Sequence, residues 1–263
     1  MMITIGRVGY IELKVPRDSY WSFFNSPYPG HKEGTAVDVY YTDHALFPLE
    51  EGKVIEVRRL PIKGDYLIVI KSGKLCLKVL HVAPSVSEGE TIVLGDPIGI
   101  PIRSNFFCPW TDNHAHYEIR NCDDPYRARG GIQITPIVLR AVKATNTGEF
   151  EVVERTDNYC LARPLKPKEK QLTPVISKGF PIEGGIPHYG YFGAFGNVKE
   201  LDIFGIRLTR EALLKNGVSV FNVRDLVLPI KGIGIYCNYK FVKLLGRFEE
   251  GAVIRICGAG TGI

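Results

Sequence analysis

Apolar and polar positions alternate with a period of two over most of the chain, in short runs broken by glycine-containing turns, and this pattern predicts strands. Residues 3–14 read as a first strand. In residues 35–41 the β-branched and aromatic side chains place Val37, Val39 and Tyr41 on one face and Ala36, Asp38 and Tyr40 on the other. Three further runs follow at 52–59, 66–72 and 74–82, separated by turns at Lys63-Gly64-Asp65 and Ser72-Gly73-Lys74, the second hairpin-like. A polar stretch at 121–129 marks a soft boundary. Beyond it, 132–144, 148–155, 233–245 and 252–257 read as strands, and 209–217 reads as the one clear helix. Its signals are Thr209 as N-cap, Glu211 in the first turn and Asn216-Gly217 at the end. The glycine-rich end, 258–262, lacks the helix that a phosphate-cradling loop needs and reads as a flexible terminus. The expected protein is mostly β: a first domain at 1–128, and a second β-rich region at 129–263 carrying one short helix.

Composition agrees with many short strands. The chain has 263 residues, 45% of them hydrophobic, enough for a substantial core, and its 28 Gly, 17 Pro, 13 Tyr and 13 Phe suit turns and sheets better than a helical bundle. A net charge of +5, with basic and acidic residues interleaved, gives no cationic face, so no nucleic-acid partner is expected. The Lys166-to-Lys170 run reads as a solvated loop. Six cysteines (76, 108, 122, 160, 237 and 257) show no C-x-x-C spacing, which excludes a zinc-finger framework. The first residues lack the apolar core of a signal peptide and no run is long enough to span a bilayer, so a soluble, cytoplasmic, thiol-bearing protein with no membrane partner is expected.

The candidate chemistry centres on His114-Ala115-His116, two imidazoles one residue apart in a strand and therefore on one face. His31 follows the turn-rich Ser26-Pro27-Tyr28-Pro29-Gly30, Asp38 is a carboxylate on a strand, and His81 closes the run Lys78-Val79-Leu80. Taken singly each has a plainer explanation: a strand-end carboxylate for Asp38, a hydrogen-bonded structural residue for His81 and likewise for His188. The aromatic loop Phe106-Phe107-Cys108-Pro109-Trp110 leads into the histidine pair and either lines a groove or packs on the sheet.

His31, Asp38, His81 and the His114/His116 pair occur in an order that resembles the lysostaphin/LytM-like zinc endopeptidases. The resemblance spans roughly residues 26–120. It is carried by His31 to Asp38 beside Val39-Tyr40-Tyr41, by Leu80-His81-Val82-Ala83-Pro84, by the turn Gly95-Asp96-Pro97-Ile98-Gly99, and by His114-Ala115-His116-Tyr117-Glu118-Ile119-Arg120, which is similar to the family's His-Leu-His-Phe-Glu-Ile/Val-Arg signature. The resemblance implies an antiparallel β barrel-sandwich, one Zn2+ held by His31, Asp38 and His116, and His81 and His114 as catalytic histidines. It further implies a metallopeptidase acting on a small or glycine-containing peptide or amide bond. Six residues separate His31 from Asp38, three more than is usual in the family, so the chain between them must fold back. Glu33, Asp43 and His44 are the nearest substitutes for His31. Two other functions suit the same architecture: a catalytically inactive metal-binding or interaction module, and a histidine phosphocarrier like the glucose-permease IIA proteins. In the second half, the loop from Gly184 to Tyr191 is a candidate cover for the groove.

Overall fold

The alternation in the sequence becomes a nearly all-β, predominantly antiparallel structure in a computed structural model that describes residues 1–61 and 64–257. The chain divides into two units, the first formed by 1–21 and 28–137, the second by 22–27 and 138–263.

In the first unit the strands are β1 (Met2–Val8), β2 (Ile11–Pro16), β3 (Tyr20–Ser22, running into the second unit), β4 (Ala36–Tyr40), β5 (Ala45–Leu46), β6 (Glu51–Leu60), β7 (Asp65–Ser72), β8 (Leu75–Leu80), β9 (Val82–Pro84), β10 (Thr91–Val93), β11 (Pro97–Pro101), β12 (Ala115–Asn121) and β13 (Thr135–Pro136). A single helical turn, α1 (Pro29–Lys32), lies before β4. The main sheet has the order β10-β6-β7-β8-β12-β4-β3, with smaller three-stranded sheets β13-β1-β2 and β5-β11-β9. Val37, Val39, Ile68, Ile70, Leu77, Val79, Tyr117 and Ile119 are fully buried, as their alternation predicts. The first unit runs past the expected boundary near 128 because β13 pairs with β1 and Ile137 N–H donates to Ile5 O.

β12 departs from the usual half-buried strand. Its apolar face (Ala115, Tyr117, Ile119) and its polar face (His116, Glu118, Arg120) are both buried. A buried polar row is stable only if its members satisfy one another, and these do, as described below.

The second unit contains a ten-stranded sheet with a core that includes Phe150, Phe192, Phe221, Ile233 and Leu244. Glu183, fully buried, accepts hydrogen bonds from Ser22 Oγ (2.9 Å), Phe23 N–H (2.7 Å) and Phe24 N–H (2.8 Å), which ties 22–27 into this unit.

Three expectations are corrected or fall away. Residues 209–217 are not a helix: Ile206–Thr209 is a strand, and Ala212–Leu213 pairs with Ser219–Asn222 across a turn in which Leu214 N–H donates to Val218 O and Gly217 has φ +86°. Asn-Gly serves a hairpin turn as well as a helix end, and so short a segment cannot offset the cost of helix nucleation without packing of its own. The chain's one described helix is α1. The cysteines are not all thiols: Cys76 and Cys122 form a disulfide, while Cys108, Cys160, Cys237 and Cys257 are free. The 258–262 tail lies outside the described residues. No described helix is long and apolar enough to cross a membrane.

Candidate metal centre

Register builds the site. On one side of β12, His116 pairs directly with Asp38 of β4, and on the other with Leu80, the last residue of β8 before His81. Directly opposed residues in an antiparallel pair have their Cβ atoms about 4.5–5.5 Å apart, so this ladder alone sets an imidazole against a carboxylate. His114, two residues before His116, shares its face. His31 comes from α1, and the residues between it and Asp38 make the expected return: Gly34 takes φ +70° and donates to His31 O, and Thr35 N–H donates to Gly30 O at 2.8 Å. The longer spacing is absorbed by that turn.

Three donor atoms converge. His116 Nδ1 lies 2.8 Å from Asp38 Oδ1, His31 Nε2 lies 3.2 Å from the same oxygen, and the two imidazole nitrogens are 3.3 Å apart. Ligand atoms around a tetrahedral zinc, at about 2.0–2.1 Å from the ion, are about 3.3 Å from one another. The donor set and its spacing therefore fit a tetrahedral divalent ion, and all three residues are at most 5% exposed. His116 Nε2, turned away, sits 3.0 Å from Glu118 Oε1, and Glu118 in turn accepts from Lys78 Nζ (3.0 Å) and Arg120 Nη1. A carboxylate on the far nitrogen of a ligating histidine fixes its tautomer and orientation.

The other two histidines adjoin the cluster, with His81 5.3 Å from His114 and 5.8 Å from His116 between ring centroids. His114 Nδ1 donates to Asp112 O at 2.9 Å, which leaves Nε2 bare, 3.4 Å from Asp38 Oδ2. His81 Nδ1 is hydrogen-bonded to Asp65 Oδ2, and its backbone N–H donates to Asp65 Oδ1 at 2.9 Å; Ser104 Oγ donates to Oδ2 at 2.7 Å. His81 has φ +66°, a conformation that costs a bulky residue of order 1–3 kcal/mol and needs its surroundings to hold it. Asp65 does the holding, through both ring and backbone.

Electrostatics separate the imidazoles. Burial pushes His114 down to about 4 and lowers His81 against the pull of Asp65, so both are neutral near pH 7. Burial acts the same way on His116, but its hydrogen bonds to Asp38 and Glu118 more than offset it and lift it to about 9. Burial would raise Asp38, yet the surrounding histidines hold it well below the carboxylate range. Glu118 falls to about 2 because His116 and Lys78 overcome its own burial.

All five residues singled out in the sequence thus lie together. Asp43 and His44 are exposed and have no part in the three-residue cluster. His188, in the second unit, is pushed down to about 4 by burial. Asp65, Ser104 and Lys78 were not foreseen as part of the site. Asp65 is sixteen residues from His81 and shows no motif, whereas Lys78 and Glu118 were within reach of a strand-pairing argument. Phe107 stacks on His114 at 4.4 Å and meets His81 edge-on at 4.8 Å, so the aromatic loop covers both histidines.

The protein is thus a nearly all-β chain with a buried His-Asp-His cluster flanked by two neutral histidines. Residues 12–136 match the N-terminal domain, and residues 142–256 the C-terminal domain, of the family described as Domain of unknown function (DUF8155). Together the two matches span most of the chain, which belongs to that family. No curated protein matches it.

Proposed function

We propose that the protein is a zinc-dependent hydrolase, most simply a metallopeptidase, acting on a peptide or amide bond. The observation that carries this reading is the near-tetrahedral spacing of His31 Nε2, Asp38 Oδ1 and His116 Nδ1 beside two imidazoles with bare Nε2 atoms. The resemblance of residues 26–120 to the lysostaphin/LytM-like peptidases supports it at His31, Asp38, His81, His114 and His116.

His31, Asp38 and His116 would hold the ion, with Glu118 orienting His116. A zinc ion there supplies Lewis acidity, which makes water nucleophilic near neutral pH and polarises a carbonyl. His81 and His114 carry their protons on Nδ1, anchored to Asp65 and to Asp112 O, so each presents an Nε2 able to take a proton from the attacking water and pass it to the leaving amine. Once protonated, the same Nε2–H donates to the oxyanion. Asp65 stabilises the imidazolium that forms on His81.

A second reading, a non-catalytic module, is favoured by one feature: Phe107 packs on both His81 and His114, which are 4% and 3% exposed. Activity separates the two. The zinc-loaded full chain, assayed on a peptide library, is expected to turn over, and His114→Ala or Asp65→Asn is expected to lose about 10²–10⁴-fold in turnover with zinc content unchanged. No cleavage by the metal-loaded wild type refutes catalysis and leaves the module, whereas full activity in both variants refutes the roles of His114 and Asp65.

A further inference from the structure

We propose that the cavity next to the metal cluster binds one bulky apolar side chain, aliphatic or aromatic, of a peptide or amide; this rests on the hydrolase reading only for what is done to that molecule. The cavity measures about 280 Å³, just below the range of about 300–1,000 Å³ usual for drug-sized ligands. Its apolar walls are Leu60, Leu67 and Leu80 from neighbouring strands β6, β7 and β8, together with the rings of Tyr28, Phe106 and Tyr126. Phe106 and Tyr126 are 36% and 55% exposed, so part of the aromatic wall is open to solvent.

Ionisable groups also reach the cavity, but each is already engaged. Lys78 Nζ is 3.0 Å from Glu118, which also holds His116 Nε2. Arg58 Nε donates to Glu56 at 2.7 Å and its guanidinium lies 4.8 Å from the centre of the Tyr126 ring, whose hydroxyl donates to Glu56. His81 is bonded to Asp65. Each of these charged groups thus already has a partner within the protein, so a charged side chain entering here would give up its water in competition with those pairs. An apolar one displaces water from leucine and aromatic walls at no such cost.

Location gives the pocket its meaning. His81 and His116 line it, so a side chain seated there brings its own backbone amide to the cluster. A glycine would leave the cavity filled with water, which turns the expected preference away from glycine-containing bonds.

The test uses the zinc-loaded full chain with leucine methyl groups labelled for NMR. N-acetyl-phenylalaninamide and N-acetyl-leucinamide are expected to shift the methyls of Leu60, Leu67 and Leu80, and N-acetyl-glycinamide to bind at least tenfold more weakly. Ala128→Trp, at an exposed position of the lining, should abolish those shifts with zinc content unchanged; Leu60→Asn, read on the methyls of Leu67 and Leu80, serves if the tryptophan variant is unstable. In a peptide library, Leu or Phe beside the cut is expected to be preferred over Gly by roughly 10–200-fold. Equal binding of the three amides, or apolar binding indifferent to both variants, overturns the pocket. Amide binding without any cleavage leaves the pocket standing and refutes only the hydrolase reading.

Discussion

His116 is held at both ring nitrogens by carboxylates, 2.8 Å to Asp38 and 3.0 Å to Glu118, and its lift to about 9 is the consequence. In the metal-free protein Nδ1 therefore keeps its proton at neutral pH, and an ion must displace that proton to bind. The sign follows from the raised value: below about 9 the proton competes, so apparent zinc affinity should rise about tenfold per pH unit from 6 to 9 and level off above it. Isothermal titration across that range, with a competing chelator, reads the slope. A flat profile would mean that His116 is not displaced and does not ligate. The same residue was legible in the sequence because H-x-H in a strand fixes a shared face with no knowledge of the fold. Asp65 was not legible, because what ties it to His81 is the β7–β8 hairpin ladder ending beside both, and a lone aspartate after Gly64 looks like any turn residue.

At the scale of elements, β12 is what holds the site residues together. Its polar face carries His116, Glu118 and Arg120 two residues apart, cross-linked to Asp38 on β4 and Lys78 on β8. Cys76 of β8 is bridged to Cys122, which immediately follows β12, so the same two strands are joined covalently. Neither the spacing of these cysteines nor their neighbours announces a pair, and an expectation of free thiols built on compartment overlooked that they meet across neighbouring strands. Thiol titration in denaturant should therefore count four reactive cysteines before reduction and six after. Reduction should destabilise the protein by about 2–4 kcal/mol. Six reactive thiols in protein purified without reductant would show that the bridge does not form. The turn at 214–218 teaches the reverse lesson. Thr209, Glu211 and Asn216-Gly217 satisfy helix-end rules, but strand partners on either side settled the segment as β, since a cross-strand ladder outweighs local propensity.

Over the whole molecule, β character and the succession of short strands in the first half were readable from alternation, since period two survives wherever one face is buried. The course of 22–27 was not, because it depends on Glu183, about 160 residues away. His31, Asp38 and His116 are proposed to hold one divalent ion. The most direct test is metal content by mass spectrometry on protein purified without chelator or nickel resin, beside Asp38→Ala and His31→Ala. About one zinc per chain in the wild type and none in either variant is the predicted result. Metal-free wild type that stays metal-free after zinc is added back, or variants that keep the wild-type content, would contradict it.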